Sequence, residues 1–176
     1  QQYPRRFDIF RHFIYGNDSL GKNIRNVFGV THIIDASSGE IKILENPGAM
    51  PDVWTSSRIY PVRDIGEALG RMAQPDFIPG EILWESKTMP NENEKIVVIN
   101  RSWYPGWKAY IGKQQIKIYP VNINQQAVIV PSSVSLSEIV LKYDPLSYKI
   151  GFTITLASIT AWIALFLKTK PNPYES

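Results

Sequence analysis

The sequence predicts an α+β protein, mostly antiparallel β and sandwich-like, followed by one C-terminal transmembrane helix. Three observations lead there. Residues 150–167, IGFTITLASITAWIALFL, form an uncharged apolar run bracketed by Lys149 and by Lys168 and Lys170. Between Glu81 and Tyr143, short β-prone segments alternate with turn residues at roughly 8–12-residue spacing, the pattern of a small sandwich. Upstream, residues 1–80 mix helix-capping signals with strand signals.

Taken in order, residues 5–28 read as partly helical. Asp18 or Ser19 is a natural N-cap for a short helix ending near Phe28-Gly29, where Gly29 suits a C-terminal stop. Val30–Ile34 and Glu40–Leu44 flank the turn Ser37-Ser38-Gly39 and form a hairpin. Asn46-Pro47-Gly48 is turn chemistry, and Val53–Tyr60 is a further strand candidate. Asp64 caps a helix running to Met72, with Ile65, Leu69 and Met72 on one face. Pro75 and Pro79-Gly80 stop it.

Strands are then expected at 81–85, 95–102, 107–111, 115–119, 126–130 and 138–143, with a tight hairpin at Ile111-Gly112-Lys113-Gln114. Asp144-Pro145 ends the last strand and hands the chain to the membrane helix. The expected organisation is a mixed α/β subdomain over 1–80, a β-sandwich-like subdomain over 81–145, a transmembrane helix over 148–168 and a short polar tail over 169–176.

At about 1.5 Å per residue the apolar run covers roughly 27 Å, close to the roughly 30 Å hydrocarbon thickness of a bilayer. Lipid cannot satisfy an open backbone, so a spanning run must be helical. Tyr148 before it, and Trp162 and Phe166 near its end, suit interfacial belts. At 100° per residue, Phe152, Leu156, Ile159 and Ile163 form a bulky stripe expected to face lipid or other apolar partners. Thr153, Ala157, Thr160 and Ala164 form a stripe of small residues beside it. Membrane helices pair by close backbone approach at small residues, so the second stripe is the expected helix-packing face.

Composition narrows the function classes. With 44% hydrophobic and 12% aromatic residues, the chain is not disordered by composition. A net charge of +3, with no basic cluster larger than Arg5-Arg6, argues against a nucleic-acid partner. The absence of cysteine removes disulfides, thiolate metal sites and cysteine nucleophiles. His12 and His32 lack metal-ligand spacing, and no phosphate-binding loop, dinucleotide fingerprint or serine-nucleophile motif occurs. Glu92 and Glu94 sit in a Pro/Asn loop and read as solvated. No catalytic residue, metal or cofactor is expected. Gln1 in place of Met leaves open both a removed leader and a longer polypeptide.

One motif invites a contact role. In Asn100-Arg101-Ser102-Trp103-Tyr104-Pro105-Gly106-Trp107, the residues Trp103, Tyr104 and Trp107 surround a Pro-Gly turn. They either plug the end of the β domain or form a platform for a sugar ring or a partner protein.

The run SWYPGWKAYIGKQQIKIYPVN, followed by Tyr143-Asp144-Pro145-Leu146-Ser147 and one apolar span, resembles the C-terminal region of YfhO-type bacterial membrane proteins. There a "YPGWKA" strand, a Gly-containing hairpin and a "Y-x-P-x-S" junction lead into the last membrane helix. Upstream, Asn26-Val27-Phe28-Gly29-Val30, Glu45-Asn46-Pro47-Gly48-Ala49-Met50-Pro51 and Pro75-Asp76-Phe77 are similar to that family's "NVxYV", "ENPGALPR" and "DPDFDP" segments, in the same order. Where the family carries "DGK", this chain has Ile111-Gly112-Lys113. The resemblance implies an extracytoplasmic β domain on a bacterial cytoplasmic membrane. It also implies kinship with GT-C glycosyltransferases, whose catalytic carboxylates lie among membrane segments this sequence does not include. The expected function is therefore a non-catalytic, membrane-anchored accessory subunit, touching lipid and other membrane-protein subunits. The alternatives are the C-terminal portion of a YfhO-like glycosyltransferase and a tethered carbohydrate-binding module.

Overall fold

The structure is a computed structural model that describes residues 3–16 and 18–168; the polar tail expected over 169–176 lies outside the described residues. Its elements run in chain order as α1 (Tyr3–Ile14), α2 (Ser19–Val27), β1 (His32–Asp35), β2 (Lys42–Glu45), β3 (Val53–Thr55), β4 (Ile59–Pro61) and α3 (Ile65–Met72). They continue as β5 (Ile82–Trp84), β6 (Glu94–Ser102), β7 (Trp107–Ile111), β8 (Gln114–Ile116), β9 (Ile118–Val121), β10 (Gln125–Pro131), β11 (Ile139–Tyr143) and α4 (Leu146–Lys168). The protein is α+β, mostly antiparallel, with one C-terminal apolar helix.

The caps behave as their chemistry dictates. Asp18 accepts a hydrogen bond from the Gly21 amide at 2.8 Å, and Asp64 accepts one from the Glu67 amide at 3.0 Å. Gly29 closes α2 with φ +65°, and a Cβ there would meet the Asn100 side-chain nitrogen and the Met50 carbonyl, so only glycine fits.

Three sheets form: β1-β2, a six-stranded sheet in the order β3-β6-β10-β9-β5-β4, and a three-stranded sheet β11-β7-β8. The expected strand over Val53–Tyr60 is two strands. They lie at opposite edges of the large sheet, yet only Ser56, Ser57 and Arg58 join them. A flat six-stranded sheet would set its edges about 24 Å apart at ~4.8 Å per strand. The connection reaches at most about 14 Å. The sheet must therefore curl on itself. Its concave face holds Trp54, Ile82, Trp84, Ile96, Val98, Tyr119, Val121 and Ala127, which fill the interior with their own bulk. Trp84 and Tyr119 meet with ring centroids 5.0 Å apart.

The convex face is covered in two places. Helices α1–α3 bury Ile24, Val27, Ala68 and Met72 against Leu83 and Ile123. The three-stranded sheet buries Ala109, Ile111, Ile116, Ile139 and Leu141 against Val97, Ile99, Val128 and Val130. The expected single strand 115–119 is likewise divided: β8 pairs with β7, and β9 pairs with β10. The chain passes from one sheet to the other at Lys117. Strands from both sides of residue 80 are thus neighbours in the large sheet.

The β9–β10 turn carries an unusual load. Asn122, Ile123, Gln125 and Gln126 are fully buried and Asn124 nearly so. Asn122 and Ile123 have φ of 47° and 76°, conformations costly for a β-branched residue. The Asn124 amide donates to the Asn122 carbonyl at 3.0 Å, closing a γ-turn around Ile123. Side chains hold this geometry. Asn122 Oδ1 accepts from the Leu83 amide at 2.8 Å, and Asn122 Nδ2 donates to Gln125 Oε1 at 2.8 Å. Gln125 Nε2 donates to the Val27 carbonyl at 2.8 Å and to Asn100 Oδ1 at 3.0 Å.

Gln125→Leu keeps the volume but orphans these partners, each buried unsatisfied group costing about 1–3 kcal/mol. Thermal unfolding of the detergent-solubilised chain should show a large loss of stability, while Gln114→Leu on exposed β8 should stay within about 0.5 kcal/mol. Equal melting curves for the two variants would show that the amide network is not structural.

Candidate functional site

The motif with Trp103, Tyr104 and Trp107 lies where the β domain meets α4. The three residues border one open cleft of about 460 Å³, but their rings are engaged differently. Trp103 is half-buried with the Arg6 guanidinium 5.7 Å from its ring centroid, and its amide donates to the Asn124 carbonyl at 2.7 Å. Arg6, itself buried, forks onto both carboxylate oxygens of Glu85 and donates to the Ile123 carbonyl at 2.7 Å. Trp107 is half-buried between Tyr143, with ring centroids 5.1 Å apart, and Arg101. Tyr104 is 54% exposed.

The Pro105-Gly106 turn does more than reverse the chain. Gly106 has φ +106°, and a Cβ there would sit 2.9 Å from both Cα and Cβ of Pro145. The Asp144 amide donates to the Gly106 carbonyl at 2.7 Å. The turn is therefore pressed against Pro145, the residue just before the C-terminal helix. Electrostatics locks the same place. One oxygen of Asp144 accepts from Lys108 Nζ at 2.6 Å and from Lys149 Nζ at 2.9 Å. Lys108 belongs to β7, Asp144 directly follows β11 and Lys149 lies in the first turn of α4, so one carboxylate ties the end of β11 to both. The Lys108 hydrogen bond, aided by that of Lys149, lowers the Asp144 pKa to about 2, and Lys108 is raised above its ordinary range by the same bond.

Beyond the junction, α4 runs for 23 residues and is long and apolar enough to cross a membrane. Every residue of it is exposed. Thr153 and Thr160 donate to the carbonyls of Lys149 and Leu156, so their hydroxyls are satisfied within the helix and their methyls are left for packing. Ala157 and Ala164 complete that small face. Trp162 and Phe166 stack at 5.8 Å.

The remaining sequence candidates stay apart. His32 is exposed beside Thr31, and His12 meets Phe13 edge-on. Glu94 accepts from the Asn91 amide at the start of β6. Among the described residues, no group of three His, Asp or Glu could hold a metal ion. Sequence reasoning missed the Asp144 bridge. Asp144-Pro145 was legible only as the end of a strand, because the Lys108 partner lies 36 residues away. No protein-family model, curated protein or solved structure matches the chain.

A carboxylate with a lowered pKa contributes fully above its ordinary value of 3.8 and loses that contribution as pH falls toward about 2. Protection of the Asp144 amide against hydrogen exchange should therefore hold down to pH 4 and drop below it. Asp144→Asn should abolish that pH dependence. Gly106→Ala should expose the same amide at every pH, since a left-handed backbone costs about 1–3 kcal/mol before the Pro145 clash is counted. Unaltered protection in both variants would show that the turn does not hold the helix.

Proposed function

We propose that the chain is a non-catalytic, membrane-anchored domain on the extracytoplasmic side of a bacterial membrane, serving as an accessory or structural subunit of a larger membrane complex. The observation that carries this reading is the junction. Pro145 against Gly106 and Asp144 between Lys108 and Lys149 fix the direction in which the apolar helix leaves the β domain. A flexible tether needs no such lock, whereas a subunit that must present one face to a neighbour does. The packing of the three-stranded sheet on the large sheet supports the sandwich-like description of that domain.

A second feature supports a partner. The hairpin β1-β2 stands away from the three cores with Ile34 and Ile43 opposite each other, at 71% and 69% exposed. An isolated two-stranded hairpin is marginal in water, so this apolar arm is most stable when covered. The small-residue face of α4, through Thr153, Ala157, Thr160 and Ala164, is the matching contact in the bilayer. The order and spacing of the YfhO-like segments favour the alternative that the domain is the C-terminal portion of a GT-C-like glycosyltransferase. A carbohydrate-binding role would use the cleft beside Trp103, Tyr104 and Trp107.

Two measurements test the reading. Protease added to spheroplasts should remove the chain before about residue 145 while sparing the span; full protection of the β domain would reverse the orientation. In purification from mild detergent, Ala157→Leu with Ala164→Leu should release co-purifying membrane proteins, and Ile159→Leu with Ile163→Leu should not. Equal retention by both double variants would remove the small stripe as an interface.

A further inference from the structure

The junction holds more positive charge than its own carboxylate can answer. Two adjoining clefts, of about 460 Å³ and 430 Å³, share Tyr104, Pro105, Gly106 and Lys108. Lys117 borders the first, and Asp144 and Lys149 border the second. Lys142 stands directly opposite Lys108 across the β11–β7 ladder, on the face turned away from the core. Lys108 and Lys149 thus share one carboxylate, Lys142 lies beside Lys108 on the same sheet face, and Lys117 sits over the Tyr119 ring, 4.8 Å from its centroid. Like charges placed opposite each other across strands are destabilising, and Asp144 is already shared by Lys108 and Lys149. An anion supplied from outside the chain would answer the charge that remains.

Its position selects the anion. The clefts open at the root of α4, just before Leu146 and Tyr148. If α4 spans the bilayer, this is the depth of the headgroups, where phosphate is abundant and exposed tyrosines such as Tyr104 are favoured. The apolar side chains of α4 are all exposed below it, so acyl chains attached to a bound phosphate have a surface to lie along. A soluble phosphate would meet the same lysines but gain nothing from the helix.

We propose that this lysine collar binds the phosphodiester headgroup of an anionic phospholipid, an inference that rests on the reading of α4 as a membrane span. Lys108, Lys142 and Lys149 supply the cations, and the Pro105-Gly106 turn forms the floor. Asp144 spaces Lys108 and Lys149 about one headgroup.

The test uses the full chain in nanodiscs of phosphatidylcholine with and without phosphatidylglycerol, with the retained lipids counted by native mass spectrometry. The chain should retain phosphatidylglycerol in preference. Lys142→Gln, a change at an exposed position, should lower the preference about fivefold, and Lys108→Gln with Lys142→Gln should lower it further. Lys113→Gln at the far tip of the β7–β8 hairpin should leave it unchanged. A preference unaltered by Lys142→Gln and the double variant overturns the proposal. So does displacement of the lipid by glycerol phosphate, which would mark a small-anion site. Alkaline carbonate extraction of the same protein from vesicles keeps the two readings separate. Release into the soluble fraction refutes the span, and retention without lipid preference refutes only the collar.

Discussion

The side chain of Gln125 ties α2, β6 and the β9–β10 turn together at one point. Its amide reaches the last carbonyl of α2, the Asn100 side chain on β6 and the Asn122 side chain in the β9–β10 turn. Asn100 in turn donates to the Phe28 carbonyl at 2.7 Å. These groups are buried or half-buried, so each bond replaces one lost to water and leaving the buried ones unmade would be expensive. The network therefore selects one docking of the helices on the convex sheet. It also holds Ile123 at a positive φ that its branched side chain resists, with the hydrophobic cluster around Ile24 and Leu83 supplying the compensation.

Curling of the large sheet is the second constraint, and it follows from three residues. Because Ser56–Arg58 connects the two edge strands, the concave face closes over Trp54, Trp84 and Tyr119 without help from another layer. The convex face is then left for two separate coverings, the helices at one end and the three-stranded sheet at the other. The exit of the chain at Lys117 from one sheet to the next gives the small sheet its position. The small sheet places Gly106 and Lys108 beside the start of α4.

Function in this reading is a matter of direction rather than chemistry. The ion pairs beside α4 join its first turn to β7 and to the end of β11, and a glycine without a side chain lets the Pro105-Gly106 turn touch Pro145. Helix and domain are thereby oriented as one unit. Exposed apolar side chains are concentrated on α4 and on the β1-β2 hairpin. In this reading the junction sets the direction of α4 for a neighbour.

Local order was legible in the sequence wherever neighbouring residues supply the cause. The run from Ile150 to Leu167 is helical by composition, Asp18 and Asp64 announce their helices through short-range capping, and Gly112 marks its hairpin. The tertiary structure alone decided what depends on partners distant along the chain. Val53–Tyr60 looks like one strand because Val53, Trp54, Thr55, Ile59 and Tyr60 all suit a strand; its division arises from pairing with β6 at one end and β5 at the other. The same holds for Gln115–Tyr119, claimed by two sheets. Trp103, Tyr104 and Trp107 were visible as a motif, but Arg6 over Trp103 and Tyr143 against Trp107 were not. Nor was the run Asn122–Gln126 legible as buried, since five polar-rich residues beside a turn ordinarily face water. Its burial is set by a carbonyl 98 residues earlier, and no local propensity encodes a contact of that range.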